Sequence, residues 1–181
     1  MNEEQTTVFI SDVDQYLFGQ GTHYDIHKKL GAHVCHKGKK KGVFFAVWAP
    51  NAKVAYVLGE FNDWSESAAP MKRIGQGGIF ATFIEDVKEG QMYKYMFVLP
   101  DGRKLYKADP YANYAEMRPG TASRIYDLNH FKWNDQKWLN SRDQKDMNKQ
   151  PMAIYECHIG SWMKHSDGTE DGFYNYREFA D

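Results

Sequence analysis

No stretch of this 181-residue chain approaches the roughly 20 consecutive apolar residues that a membrane-crossing helix requires, so no such helix is expected. Cysteine is scarce. The 2 present, Cys35 and Cys157, lie far apart, which suggests reduced thiols and a cytoplasmic protein. The N-terminus, Met1-Asn2-Glu3-Glu4-Gln5, is acidic and polar, unlike a secretion signal. Charge of one sign is also lacking: 23 Lys and Arg against 24 Asp and Glu leave a net charge of −1. That balance gives no general attraction for nucleic acid or an anionic membrane. The one basic run, Lys37 to Lys41 broken by Gly38, reads as a solvated turn.

Catalytic signatures are missing as well. There is no nucleophile elbow, phosphate-cradling glycine loop or zinc-protease motif, and there are no internal repeats or low-complexity tracts. Gly75, Gly77 and Gly78 precede no helix and read as hairpin glycines. Glu85-Asp86 sits at a strand end and reads as turn charge, so no acid–base carboxylate pair for glycoside chemistry is evident. His23, His27, His33, Cys35 and His36 fall within one short span, but their spacing matches no common zinc pattern. No metal and no cofactor is expected.

What the chain does have is aromatic residues: 12 Tyr, 11 Phe and 5 Trp. These favour strands, and they also supply flat surfaces for sugars and other rings. Ser11 with Asp14 can cap a short helix through about Phe18, and Thr22 with Asp25 a second one to Leu30, with Gly31 as its stop. From Gly42 the period changes to 2. Strands are predicted at 43–48, 54–58, 79–84 and 93–99, a hairpin return at 103–107, and a last strand at 123–128. Their length, spacing and apolar character predict a mainly β protein: an immunoglobulin-like β-sandwich behind a short helical lead-in.

The predicted organisation is a lead-in over 1–36, a sandwich over 37–128, and a polar linker over 129–150, partly helical, with Phe131, Trp133 and Trp138 as anchors. Residues 151–181 follow as the start of another domain. Ile154 to Trp162 suits the first buried strand of a parallel sheet or barrel, and the chain ends in what looks like a first helix.

Glu60-Phe61-Asn62-Asp63-Trp64 stands apart. Asn-Asp is turn chemistry, and it puts Trp64 just past a strand end. An exposed indole offers a flat face for the C–H side of a pyranose, while amides and carboxylates such as Asn62 can bind hydroxyls. The bland alternative is a Trp folded back over the sandwich edge. Lys94, on the strand face opposite Tyr93 and Tyr95, is either part of the same surface or simply solvated.

Several pieces together resemble the amino-terminal part of bacterial 1,4-α-glucan branching enzymes of the α-amylase superfamily. They are Tyr16-Leu17-Phe18-Gly19, Gly21-Thr22-His23-Tyr24, Lys29 to His33, Val47-Trp48-Ala49-Pro50-Asn51-Ala52 and Gly59 to Trp64. Asp109-Pro110-Tyr111-Ala112, Arg118 to Ser123, Tyr155 to Trp162 and Tyr176 to Ala180 complete the set. The Trp-Ala-Pro, Phe-Asn-Asp-Trp and Asp-Pro-Tyr-Ala elements are similar to the family-48 carbohydrate-binding module. That module also precedes debranching enzymes and trehalose-releasing hydrolases, and occurs in glycogen-sensing kinase subunits. The Leu-Phe-Gly lead-in with Tyr-Glu-Cys-His-Ile-Gly-Ser-Trp is closer to branching enzymes, and resembles the opening strand of a truncated (β/α)₈ barrel.

The resemblance implies an enzyme that cleaves α-1,4 bonds in glycogen or amylose and rejoins the segment through α-1,6 bonds. An Asp nucleophile and a Glu acid–base would belong to later barrel strands, so no catalytic residue is assigned here. By the same resemblance, Trp64 and Lys94 are glucan-binding candidates and Tyr106 approximates a second aromatic platform. Ser123 stands where kinase-type modules carry Asn. His158 and Trp162 would lie at the end of the barrel strand nearest an active site. The implied partners are α-glucan and a catalytic barrel of the same protein, with the protein itself a monomer. Alternatives are a stand-alone glucan-binding module, which residues 151–181 disfavour, and a debranching enzyme or trehalohydrolase, which the lead-in and Gly-Ser-Trp disfavour.

Overall fold

The computed structural model describes residues 8–144, 146, 149–166 and 172–181. The expected polar start at Met1–Gln5 lies outside them. The chain divides into two units, one running to Lys132 and the other spanning Trp133–Asp181.

The first unit is a curled antiparallel sandwich. Its strands are β1 (Gly31–Lys37), β2 (Lys40–Trp48), β3 (Val54–Gly59), β4 (Pro70–Ile74), β5 (Ile79–Glu85), β6 (Met92–Val98), β7 (Lys104–Lys107), β8 (Tyr114–Ala115) and β9 (Ser123–Arg124). The order is β1-β2-β5-β4-β3-β6-β9-β8, with β7 also paired to β6. One strand joins the two layers. The start of β4, Pro70 and Met71, pairs with β3, whereas Lys72 to Ile74 pair with β5. Pro70 opens that strand, where its missing N–H costs least.

Period-2 alternation builds the core between the layers. Val43, Phe45 and Val47 of β2 face Ala55 and Val57 of β3 and Tyr93 and Tyr95 of β6, each at most 2% exposed. Burying large side chains of this kind contributes about 1.5–3 kcal/mol each. Phe45 meets the ring of Tyr93 edge-on at 5.2 Å. The other face of β2 is buried too: Phe44 and Ala46 pack with Leu30, Ile79 and Ala81 under Phe9, Phe18 and Ile26. The lead-in is therefore a cover for the outer face of the first layer. This is why β2 and β5 are apolar on both faces.

Helix α1 (Asp12–Gly19) begins as its sequence requires. Ser11 Oγ accepts from the Asp14 N–H at 3.2 Å, and Asp14 Oδ2 accepts from the Ser11 N–H at 2.8 Å. The second expected helix does not form. Only a single 3₁₀ turn, Ile26–Lys28, is present, and the Thr22 hydroxyl donates back to the Leu17 carbonyl instead of capping forward. The short path from α1 to β1 must bury Leu30 (0% exposed), and that requirement wins over local helix propensity. Gly31, expected as a helix stop, opens β1 instead. Its φ is +107°, and a Cβ there would lie 2.9 Å from the Tyr111 carbonyl oxygen.

Asp14 then does a second job. Its carboxylate meets His23 Nε2 at 2.8 Å and Lys29 Nζ at 3.4 Å, with all three side chains no more than 13% exposed. Burial pushes the Asp14 carboxyl up, but the Ser11, His23 and Lys29 contacts outweigh it and hold it well below the usual range. A depressed carboxylate stabilises the fold above its unfolded value of about 4, and that contribution is lost as pH falls further. We therefore expect the N-terminal cover to loosen as pH drops below about 4, with Asp14→Asn lowering stability at neutral pH by about 1–2 kcal/mol and flattening the acid limb. Urea unfolding against pH checks both. An acid limb unchanged in the variant would contradict the assignment.

The second unit carries α2 (Gln136–Asp143), a 3₁₀ turn at Ile159–Ser161 and α3 (Tyr176–Ala180). Asn175 and Glu178 form a capping box that starts α3. The run expected to make a barrel strand, Ile154 to Trp162, forms no ladder here: residues 151–158 have no regular structure, and Ile154 is 83% exposed. A parallel strand exists only between neighbours, and none lies among the described residues. Trp162 packs edge-on to Tyr155 at 5.9 Å and to Phe179 at 5.6 Å.

The last sandwich strand is shorter than expected, Ser123–Arg124 rather than 123–128, and Leu128–His130 is a 3₁₀ turn. β1 and β4, which the sequence did not separate as strands, complete the first layer. Among the described residues no helix is long and apolar enough to cross a membrane.

Candidate functional site

The turn after β3 is built by Asn62. Its Oδ1 accepts from the Gly59 N–H at 2.9 Å and its Nδ2 donates to the Val57 carbonyl at 2.9 Å. Both ends of the amide hold the loop, so Asn62 shapes the turn that carries Trp64. Gly59 is needed because a Cβ there would lie 2.5 Å from both the Met92 carbonyl and the Phe61 ring. The chain then passes through two successive left-handed residues, Asp63 (φ 52°) and Trp64 (φ 57°). For residues with a Cβ this backbone costs about 1 kcal/mol or more each. The Trp64 N–H, bonded to the Gly59 carbonyl at 3.0 Å, helps hold it. The result is an indole 38% exposed at the strand end.

Register puts the other candidates on the adjoining outer face of the second layer. Leu58 of β3 pairs with Lys94 of β6, Tyr56 with Met96, and Met96 in turn with Tyr106 of β7. Tyr93 and Tyr95 point inward and are 0% exposed, so Lys94 lies on the opposite face as its alternation required. Lys94 Nζ donates to Thr121 Oγ1 at 2.7 Å. Tyr106, 47% exposed, donates its hydroxyl to Glu66, whose other oxygen pairs with Lys104. Lys104 first, and then Tyr106, hold the Glu66 carboxyl below its usual range. The sequence reading missed Thr121, Glu66 and Lys104, because each acquires its part only through strand pairing or a loop return.

A buried support lies beneath this face. Asp109, 6% exposed, accepts from Tyr93 Oη at 2.6 Å and Tyr95 Oη at 3.1 Å through Oδ2, and from the Tyr111 N–H at 2.8 Å through Oδ1. Its own N–H donates to Ser123 Oγ at 2.8 Å. Burial pushes the Asp109 carboxyl above its ordinary value despite these donors, and raises both tyrosines as well. Ser123 is therefore a buried clamp on the Asp-Pro-Tyr turn, 2% exposed.

The histidine-rich span is dispersed. His23 is tied to Asp14, His33 Nε2 meets the Leu30 carbonyl at 2.9 Å, and His36 is exposed on β1. Among the described residues no group of three His, Cys, Asp or Glu is arranged to hold a metal ion. In the second unit His158 Nδ1 and Ser161 Oγ lie 2.8 Å apart within the 3₁₀ turn, and Trp162 follows it.

The first unit is thus an antiparallel sandwich whose second layer carries Lys94 and the exposed Tyr106 on its outer face, with Trp64 exposed at the end of β3. Residues 29–112 match the family of carbohydrate-binding module 48, the isoamylase N-terminal domain. The chain is 66% identical over 174 residues, 96% of its length, to 1,4-alpha-glucan branching enzyme GlgB of Butyrivibrio fibrisolvens, and 44% identical over 171 residues to that of Bacillus caldolyticus. The chain spans about a quarter of the length of these relatives, 27% and 25%. Among solved structures, the maltotriose complex of PulA from Klebsiella pneumoniae is 26% identical, covers 55% of this chain and 11% of that one, and gives a TM-score of 0.45.

Proposed function

We propose that this chain is the amino-terminal part of a 1,4-α-glucan branching enzyme, and that its sandwich holds α-glucan on the outer face of the second layer. The observation that carries the binding reading is the strained, exposed Trp64 at the end of β3, with Lys94 and the Glu66-oriented Tyr106 on the outer face of the same layer. Two rings supply apolar platforms for pyranose faces, while the ammonium and the Thr121 hydroxyl supply donors for ring and hydroxyl oxygens. The enzyme reading rests on the identity to branching enzymes across nearly the whole chain.

In that reading the lead-in up to Leu30 covers the sandwich, which begins with β1 at Gly31 rather than at residue 37, the residues through 128 bind or support, 129–150 link, and 151–181 open the catalytic barrel that cuts α-1,4 bonds and makes α-1,6 branches. His158 and Trp162 would then face the active-site end of the barrel. The protein would work as a monomer in the cytoplasm, in keeping with the free Cys35 and Cys157.

One experiment separates binding from chemistry. The 181-residue chain should be retarded in a glycogen-containing native gel yet leave the iodine absorbance of amylose unchanged. Migration independent of glycogen would refute the binding reading. A shift toward the branched-polymer spectrum would refute the assignment of catalysis to another part of the enzyme.

A further inference from the structure

The strand order has two ends, β1 and β8, and the curled sheet leaves a seam between them. Two clefts lie along that seam. One, about 410 Å³, is lined by Val8, by His27 and Lys28 of the 3₁₀ turn, by His33 and Val34 of β1, by Asn113 just before β8, and by Tyr126 to Asn129 after β9. The other, about 340 Å³, shares Val34 and Asp127 with the first and runs on to Lys88 and His130. Each is within the range of small-ligand sites, about 300–1,000 Å³. Because they share two lining residues, they form one elongated groove.

The chemistry of the first cleft is specific. His33 faces the Leu30 carbonyl through Nε2 at 2.9 Å, which fixes the ring proton there, and burial favours the neutral ring. Nδ1 is then an acceptor. Asp127 uses Oδ1 to accept from the Asn129 N–H and Nδ2, at 3.0 and 2.7 Å, which leaves Oδ2 as an acceptor. Asn113 donates through Nδ2 to the Tyr126 carbonyl at 3.4 Å, and its Oδ1 is a further acceptor. His27 and Lys28 lie on the same wall, so the cleft offers donors as well as acceptors, which suits a ligand whose hydroxyls can both donate and accept. Beside these polar groups stands the Tyr126 ring, 40% exposed, with one face backed by Tyr114 at 5.5 Å and 23°. A rigid ring next to polar groups of both kinds suits a pyranose.

We propose that this seam is a second saccharide site, separate from the Trp64 face, which takes a short segment of an α-1,4-glucan chain along the groove. The proposal rests on the reading of the chain as an α-glucan binder. Two sites on different faces of one module would let a single glucan, or two branches of one particle, be held at once, and avidity would follow.

The test is titration of maltoheptaose into the ¹⁵N-labelled chain in a Trp64→Ala background, followed by amide shifts and the His33 ring signals. Saturable shifts at Asn113 and at Asp127 to Asn129 are expected, weakened about fivefold or more when Asn113→Ala and Asn129→Ala are added. Both asparagines are exposed, so a dispersed spectrum will confirm that the variants fold. Shifts confined to the Trp64 face in the unsubstituted chain, and absent from the Trp64→Ala background, would overturn the seam site alone. No shifts anywhere would overturn both it and the reading on which it rests.

Discussion

Asp109→Ala is expected to cost about 3–5 kcal/mol of folding stability, the effect of breaking a buried charged cluster. The carboxylate is the common acceptor for Tyr93, Tyr95 and the Tyr111 N–H, and both tyrosine rings are 0% exposed. Removing it takes the acceptor from the Tyr93 hydroxyl and the Tyr111 amide in a buried place, and leaves Tyr95 with only its 3.4 Å bond to the Ala46 carbonyl. Asp109→Asn should cost less, because the amide oxygen still accepts from Tyr111 and the tyrosine hydroxyls can rotate to accept from the nitrogen.

The pH sign is opposite to that of Asp14. Burial raises the Asp109 carboxyl, so the folded state prefers the protonated form. Its share of stability therefore declines as pH rises from about 4 toward the folded value, and Asp109→Asn removes that slope. Urea midpoints with unchanged m-values measure all of this. A loss below about 1 kcal/mol in the alanine variant would mean that the cluster is hydrated and not a buried anchor.

Trp64→Ala should weaken glycogen binding by about tenfold, or ~1.4 kcal/mol, while changing folding stability little. The indole is 38% exposed and the turn is held by Asn62 and the Trp64 backbone N–H, none of which the substitution removes. Relief of the left-handed strain at position 64 is small for alanine, which shares the Cβ penalty. Tyr106→Ala should produce a smaller loss, since Glu66 and Lys104 remain on that face. Affinity electrophoresis in graded glycogen gives the dissociation constants. Equal retardation of wild type and Trp64→Ala would leave Trp64 as a packing residue only, and would move the binding reading to the seam.

The sandwich was legible because its strands alternate cleanly. Val43, Phe45 and Val47 on one side of β2 and Phe44 and Ala46 on the other predicted a strand buried on both faces, and both apolar clusters exist. The Ser11–Asp14 capping box was readable for the same reason: its partners are three residues apart. β4 was hidden because Pro70, Lys72 and Arg73 mask its alternation, and it exists by pairing with β3 and β5. The helix expected at 22–30 failed because burial of Leu30 and the left-handed Gly31 start a strand at that point.

At the candidate site, the sequence pointed to Trp64, Lys94, Tyr106 and Asn62. Register puts Lys94 and Tyr106 on one outer face, Trp64 stands exposed at the end of β3, and Asn62 latches the turn between.

Local chemistry, in short, set what neighbours along the chain can set: strand period, the Asn-Asp turn, the helix cap and the resemblance to carbohydrate-binding modules. Tertiary structure alone decided which distant groups meet: Glu66 with Lys104 and Tyr106, Lys94 with Thr121, Asp109 with two tyrosines and Ser123, and β1 with the chain after β9 across the seam. Hydrogen bonds and clefts act over a few ångströms in space, whereas residues 27 to 40 positions apart come that close only after the sheet has curled.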